Sequence, residues 1–160
     1  MTEIITTITP SPARRGIAVF FLVSLGGLLI YLALSAPPQS FFWQAFLIAI
    51  GAGALYLGDF LRRATLYSIH LLDDRVVDTA GRELCRLDNI QAVERGAFAF
   101  KPSNGFLIRL KKPLPRTWAP GLWWRFGRKV GVGGVTPASQ AKFMSEMIAL
   151  KLSGALSDVT

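Results

Sequence analysis

The segment GIAVFFLVSLGGLLIYLALS at residues 16–35 contains twenty residues and no charged side chain. A helix rises about 1.5 Å per residue, so this segment spans the roughly 30 Å hydrocarbon core of a bilayer. A second apolar segment, residues 41–60, follows a short connection. Its single charge, Asp59, lies near its end, where it can pair with the arginines three and four residues later. The sequence therefore predicts an antiparallel transmembrane hairpin over residues 16–61.

A cleavable signal peptide is the competing interpretation of the first segment, because Arg14 and Arg15 precede it. The length of the apolar run and the second spanning segment favour the hairpin. Arg62 and Arg63 follow the second segment, whereas the connection at residues 36–40 carries no charge. By the positive-inside rule, both termini are expected to be cytoplasmic and the protein to be multi-pass.

Small residues recur in both predicted helices at spacings that place them on one helix face. They are Ala45, Ala49 and Gly53 in the second helix and Ser24 and Gly27 in the first. Small side chains let helices approach closely in a membrane, where packing has to supply the association energy. These helix-packing residues either join the two helices to each other or dock them onto a larger membrane complex.

The remainder of the chain differs from the hairpin in composition. The protein is 51% hydrophobic and 18% charged, against about 25% charged residues in an ordinary globular domain. Residues 1–61 contain two arginines and two acidic residues, so the whole net charge of +8 belongs to residues 62–160. This division excludes intrinsic disorder and a large multidomain enzyme, and it predicts a membrane anchor followed by one small basic domain.

Residue types that carry catalysis or bind metals are scarce. Cys85 and His70 are the single cysteine and the single histidine, which excludes an intramolecular disulfide and a multi-histidine metal site. Gly131, Gly133 and Gly134 lack the neighbouring Gly-Lys-Ser/Thr of a phosphate-binding loop, so a strand with a bulge is favoured there. We expect no catalytic residue, no metal, no cofactor and no small-molecule substrate, because no nucleophile, base and orienting group can be assembled.

After residue 63 the sequence changes to short alternating runs separated by turn residues, the pattern of an antiparallel sheet. Residues 87–90 predict a tight corner, and Asn104-Gly105 predicts a hairpin turn. Residues 113–129, rich in Pro, Trp and Arg, are expected to form an irregular connection. The predicted strands are residues 66–72, 75–78, 82–87, 91–101, 106–112 and 130–135.

One helix is predicted to close the domain. Thr136 is a suitable N-cap, Pro137 suits the first helical position, and Gly154 supplies a stop. The apolar stripe of this helix comprises Phe143, Met144, Met147, Ile148 and Leu150.

Several antiparallel strands and one closing helix, after two membrane helices, resemble the membrane-anchored bacterial pleckstrin-homology-like (PH-like) proteins. The resemblance covers residues 10–152. It is carried by Tyr67-Ser68-Ile69 leading into Asp73-Asp74-Arg75, by Leu87-Asp88-Asn89-Ile90-Gln91 before a long hairpin, and by Val135-Thr136-Pro137 at the start of the last helix.

The resemblance implies a fold class, namely a membrane α-helical hairpin plus an α+β domain. In that domain an antiparallel PH-like sheet or barrel is bent, and the C-terminal helix caps its open corner. The resemblance also implies binding of lipids or proteins without chemistry, at the bacterial inner (cytoplasmic) membrane. The expected divisions are a cytoplasmic N-terminal tail at 1–15, the hairpin at 16–61, a cytoplasmic PH-like domain at 62–153 and a C-terminal tail at 154–160.

Residues 95–130 contain nine Lys and Arg residues, three tryptophans and no acidic residue. Indole rings prefer the boundary between headgroups and acyl chains, and cations are attracted to an anionic leaflet. Contact with anionic membrane lipids is therefore the favoured interpretation. The predicted lipid- or partner-contacting residues are Arg109, Lys111, Lys112, Arg116, Trp118, Trp123, Trp124, Arg125, Arg128 and Lys129.

Two alternatives to lipid contact stay open. Trp123 and Trp124 can cover the sheet core, as large aromatic residues usually do. The same basic surface can bind an acidic face of a partner protein, because Trp and Arg dominate interaction hot spots. Nucleic acid is disfavoured, since the domain is tethered to a membrane and has no recognisable reading motif.

The sequence thus predicts a non-catalytic inner-membrane binding or scaffolding module. Its basic, Trp-rich domain is expected to contact anionic lipid headgroups or membrane-bound partners. The alternative is an accessory subunit that assembles or stabilises a larger integral-membrane complex.

Overall fold

A computed structural model of the chain describes residues 3–96 and 102–154. The chain divides into two compact units. The helical unit is Pro12–Arg63, and the sheet unit combines Met1–Ser11 with Ala64–Thr160.

The helical unit contains the two predicted helices, α1 (Pro12–Ser35) and α2 (Phe41–Ala64). Each has 24 residues and is long and apolar enough to cross a membrane. Large apolar side chains are exposed on both helices, with Phe21 at 67% and Phe41 at 82% exposure. The predicted pairing of Asp59 is confirmed, because its carboxylate lies 2.9 Å from Arg62 Nη2 and 2.7 Å from Arg63 Nε.

The two helices pack through glycine. A Cβ atom added at Gly26 would lie 2.7 Å from the carbonyl oxygen of Gly51, and one at Gly51 would lie 2.7 Å from Ile30 Cγ1. Only residues without a side chain allow so close an approach of two backbones. Nearby, Gln44 Nε2 donates a 3.0 Å hydrogen bond to the carbonyl of Ala33, which is fully buried.

The sheet unit contains seven strands, in two antiparallel sheets, and one helix within its described residues. The first sheet has the order β1-β2-β3-β4, and the second has the order β5-β6-β7, so these residues form no closed barrel. The strands are β1 (Thr6–Ile8), β2 (Ile69–Leu71), β3 (Arg75–Asp78), β4 (Glu83–Arg86), β5 (Ile90–Glu94), β6 (Phe106–Ala119) and β7 (Trp123–Val132). A 3-10 helix at Leu87–Asn89 forms the predicted corner, and α3 is Ala138–Leu152.

Strand β1 lies in a segment for which the sequence predicted no element. It pairs with β2 in antiparallel register, with Thr6 opposite Leu71 and Ile8 opposite Ile69. The amide of Ile5 also donates to the carbonyl of Leu71 at 2.8 Å, and Ile8 is fully buried in the core. Residues from before α1 and after α2 therefore build one sheet.

The prediction of an irregular connection at residues 113–129 is wrong. Strand β6 continues to Ala119, and β7 already begins at Trp123. The register shifts between Arg109 and Leu114, and again before Thr117. Such bulges accommodate the prolines of this segment, which cannot donate to a regular ladder.

A tight turn joins β6 to β7. The amide of Leu122 donates to the carbonyl of Ala119 at 3.1 Å. Pro120 occupies the second position and Gly121, with φ of 77°, the third. This is the type II arrangement, which requires a positive φ at the third residue. The predicted strand at 130–135 is correspondingly displaced, because β7 ends at Val132.

The C-terminal helix packs on the core through Ala141, Met144 and Ile148, all buried. Its predicted cap is wrong, because Pro137 is the N-cap and no side chain caps the helix. The hydroxyl of Thr136 instead donates to the carbonyl of Asn104 at 3.3 Å.

Other predictions differ from the structure in extent. Two members of the predicted apolar stripe of α3 are exposed, Phe143 at 51% and Leu150 at 45%. The predicted stop at Gly154 is confirmed, because this glycine follows the C-cap Ser153 with a φ of 75°. Of the expected strand at 91–101, the described part forms β5 up to Glu94, and residues 97–101 lie outside the described residues.

Candidate functional site

The hairpin of β6 and β7 places alternate residues on opposite faces. Its cross-strand pairs near the turn are Ala119 with Trp123, Trp118 with Trp124, and Thr117 with Arg125. Because successive side chains point to opposite faces of a sheet, Trp123 and Arg125 share one face and Trp124 lies on the other. This alternation separates the two neighbouring tryptophans.

Trp123 faces inward and is 1% exposed. Its indole Nε1 donates to Asp78 Oδ2 at 3.1 Å, and Arg82 Nε donates to the same oxygen at 2.8 Å. The other carboxylate oxygen accepts the backbone amides of Ala80 and Arg82. Trp123, one of the predicted contact residues, is therefore a core residue whose polar atom satisfies a buried carboxylate.

Arg125 also faces inward and connects β7 to β4. Its Nη1 donates to the carbonyls of Glu83 at 2.7 Å and Leu84 at 3.1 Å. Its Nε donates to the carbonyl of Pro115 at 2.7 Å, and Nη2 donates to the hydroxyl of Thr117 at 3.1 Å. The guanidinium thus holds strands together, which is a structural use of a predicted contact residue.

The opposite face of the hairpin is aromatic and open. Trp118 is 53% exposed and Phe126 is 59% exposed, while Trp124 is half-buried against the backbone of Gly131. The guanidinium carbon of Arg116 lies 4.9 Å from the ring centroid of Phe126, within the range of a cation–π interaction. We call the four residues Arg116, Trp118, Trp124 and Phe126 the outer aromatic face.

A hollow of about 330 Å³ opens at the outer aromatic face. All six residues that line it come from β6 and β7, and none is acidic. They are Arg116, Thr117, Trp118, Trp124, Arg125 and Phe126.

The other predicted cations of the hairpin divide into two groups. Arg109 pairs with Glu94, and Lys111 Nζ donates to the carbonyl of Asp88 at 2.8 Å. Lys112, Arg128 and Lys129 are exposed. Within the described part of the chain, no carboxylate lies at ion-pair distance from the side chains of these last three.

Phe126 was not among the predicted contact residues, although the sequence contained a signal for it. It lies two residues after Trp124, so on a strand both side chains point to the same face. An irregular connection, as predicted for residues 113–129, has no two-residue period, so the shared face of Trp124 and Phe126 was missed. Asp78, the buried anchor of Trp123, had no comparable signal, because its partner lies on another sheet.

The predicted helix-packing residues do not form the contact between α1 and α2. Ala45, Ala49, Gly53, Ser24 and Gly27 are all exposed. A Cβ atom added at Gly27 or Gly53 would meet no described atom within 4 Å. The helices use other glycines for their mutual packing, so this small-residue surface stays open.

Residues with reactive side chains are engaged in the fold. His70 Nδ1 lies 2.9 Å from Thr7 Oγ1, across the β1–β2 pair. Cys85 is fully buried, and this burial, with a smaller contribution from the charge of Glu83, raises the pKa of its thiol to about 12. A thiol with such a pKa is not a nucleophile near neutral pH. Among the described residues, no three His, Cys, Asp or Glu side chains are grouped closely enough to hold a metal ion.

The fold defines a chain with two candidate membrane-spanning helices and a separate antiparallel sheet domain. Comparison with protein-family models, with curated proteins and with solved structures found no match.

Proposed function

We propose that the chain is a non-catalytic binding module, anchored in a membrane by α1 and α2, whose outer aromatic face contacts anionic lipid headgroups. The observation that carries the proposal is the exposure of Trp118 and Phe126 beside Arg116, on a hairpin that contains no acidic residue. Aromatic rings and cations on one face match the chemistry of a headgroup boundary. Each cation held near an anionic surface contributes on the order of 1 kcal/mol.

The pairing of β1 with β2 supports a topology for the anchor. Residues 6–8 precede α1 and residues 69–71 follow α2, and they are hydrogen-bonded to each other. Both ends of the hairpin therefore attach to one folded unit, on one side of the proposed membrane. Arg14 and Arg15 lie near the start of α1, and Arg62 and Arg63 lie in the last turn of α2. These cations favour the cytoplasmic side.

The sheet unit is proposed to be PH-like and the membrane to be the bacterial inner membrane. Support comes from the succession of four strands, three strands and a C-terminal helix, together with the local sequence features of the resemblance. Anchoring keeps the domain at the membrane surface, which raises its effective concentration toward lipids and membrane-bound partners.

Fluorescence of Trp118 tests lipid contact in the full chain. Wild type and Trp118→Phe are reconstituted in nanodiscs with brominated anionic or brominated zwitterionic lipid, and their difference isolates Trp118 from the other tryptophans. We expect stronger quenching of Trp118 by the anionic lipid, reduced by high salt because the attraction is screened. Equal quenching in both nanodiscs, or none in either, would overturn the proposal.

A second candidate function is that of an accessory subunit of a larger membrane complex. It is favoured by the exposure of Ala45, Ala49 and Gly53, which the hairpin does not use for its own packing. Purification in mild detergent should then recover a stoichiometric membrane partner. Gly53→Ile should lose that partner and keep the hairpin intact, since its added side chain enters open space. Recovery of the chain alone would contradict this function.

A further inference from the structure

We propose that the hollow at the outer aromatic face binds the phosphate of one anionic phospholipid headgroup, with Arg116 as its principal ligand. This inference rests on the proposed function, because it assigns one defined site to the surface that contacts lipid. It differs from diffuse attraction in requiring a stoichiometric site with a defined position.

Arg116 is held beside an aromatic ring at the edge of the hollow. Its guanidinium carbon lies 4.9 Å from the ring centroid of Phe126. No carboxylate of the described residues lies at ion-pair distance from it. The planar fork of guanidinium donors suits a phosphate, and the contact with Phe126 restricts the side chain before a ligand binds.

Arg125 also lines the hollow, but its guanidinium is directed to the inner face of the hairpin. Its donors are directed to the carbonyls of Glu83, Leu84 and Pro115 and to the hydroxyl of Thr117, so its position is fixed. No acidic side chain lines the hollow to offset the charge of Arg116. The site therefore favours an anion, and a free amine would be repelled.

The aromatic walls select a lipid over free phosphate. Trp118, Trp124 and Phe126 line the same hollow as Arg116 with apolar surface, which matches the glycerol and first methylene groups below a phosphate. The volume of about 330 Å³ is at the lower end of small-ligand sites, which suits a headgroup with its acyl chains outside.

The test uses the full chain in nanodiscs of zwitterionic lipid, titrated with dihexanoyl phosphatidylglycerol and followed by tryptophan fluorescence. Dihexanoyl phosphatidylcholine and inorganic phosphate are titrated separately. We expect saturable binding of the anionic lipid and at least tenfold weaker binding of the other two. Phosphate binding as tight as the lipid would overturn the assignment to a lipid.

Two arginines of the same hairpin provide matched variants. Arg116→Gln should weaken binding of the anionic lipid at least tenfold. The affinity of Arg116→Lys should lie between those of wild type and Arg116→Gln, and Arg128→Gln should change the affinity less than threefold. Equal losses for Arg116→Gln and Arg128→Gln would mean diffuse attraction only and would overturn the site. In that case, persistent quenching of Trp118 by brominated anionic lipid would leave the proposed function standing, whereas its absence would refute both. Binding of an acidic peptide in preference to the lipid would also overturn the inference.

Discussion

Trp123 and Asp78 are 45 residues apart in sequence and meet in the core, where the indole Nε1 lies 3.1 Å from the carboxylate Oδ2. The carboxylate is buried and also forms an ion pair with Arg82. A buried charge is tolerated only when hydrogen-bond or ion-pair partners satisfy it. The contact therefore links β7 to β3, and loss of one partner would leave the other buried without its hydrogen bond.

Removing the indole donor should destabilise the sheet unit. Trp123→Phe keeps an aromatic ring but loses a hydrogen bond to a charged acceptor, worth about 1.5–3 kcal/mol. Asp78→Ala should cost more, about 3–5 kcal/mol, because it leaves Arg82 and the indole without their buried acceptor. Chemical unfolding followed by near-UV circular dichroism measures both. An unchanged denaturation midpoint for Trp123→Phe would contradict the role of this bond.

Strand β1 should contribute to the stability of the sheet unit although it precedes α1 and α2 in the sequence. Ile8→Ala removes a fully buried side chain and should lower the free energy of unfolding by about 2–5 kcal/mol. Ile4→Ala is the control, since Ile4 is 54% exposed, and it should have little effect. Equal, small effects of both substitutions on the denaturation midpoint would show that β1 is dispensable.

The glycine contact between α1 and α2 predicts a specific cross-link. A Cβ atom at Gly58 would lie 3.4 Å from Leu22 Cβ, close to the roughly 3.5–4.5 Å of natural disulfides. In a Cys85→Ala background, Leu22→Cys combined with Gly58→Cys should oxidise to an intramolecular disulfide, which trypsin digestion and mass spectrometry detect.

Added bulk at the helix contact should prevent this cross-link. Gly51→Val would place atoms against Ile30 and the backbone of Gly26, and should reduce disulfide yield severalfold. Gly53→Val adds the same side chain where no described atom lies within 4 Å, and should leave the yield unchanged. Equal yields from both variants would refute this packing.

Cys85 predicts an alkaline loss of stability. Burial raises the pKa of its thiol from 9.0 to about 12, so the folded chain keeps a proton that the unfolded chain releases. Stability from this thiol is complete below pH 9 and is lost as the pH rises toward 12, by at most about 1.4 kcal/mol per pH unit for one proton.

The comparison with Cys85→Ala isolates this effect from other groups that titrate at high pH. The difference in unfolding free energy between wild type and Cys85→Ala should narrow from pH 9 to pH 11. A difference that stays constant over this range would mean that the thiol titrates alike in the folded and unfolded chain.

The sequence predicted the elements that have a long apolar run or that lie between two strong turn signals. Two apolar runs defined α1 and α2, and the turns on either side of residues 75–78 defined β3. Strand β1 was missed because three residues carry no recognisable period and its partner lies beyond the hairpin. The extension of β6 was missed because Pro113 and Pro115 normally argue against a strand, and only bulges admit them.

The candidate site was predicted by composition but not by position. The acid-free, tryptophan-rich stretch overlaps the hairpin of β6 and β7, yet local sequence cannot tell which of two adjacent tryptophans faces inward. The inward orientation of Trp123 depends on cross-strand register and on Asp78, which lies in the other sheet and accepts the indole hydrogen bond. The same limit explains why Gly26 and Gly51, rather than the more regular Ala45, Ala49 and Gly53, form the helix contact.

The first sheet can close only late in synthesis. Thr7 is synthesised 63 residues before His70, its cross-strand partner. The two residues can therefore pair only after both α1 and α2 have been made. On the proposed topology, a chain with only one helix inserted would have β1 and β2 on opposite sides of the membrane. Such a chain would present Ile69 and Leu71 on an unpaired edge, the kind of surface that chaperones and proteases act on. Completion of the sheet would therefore distinguish correctly inserted chains from misinserted ones.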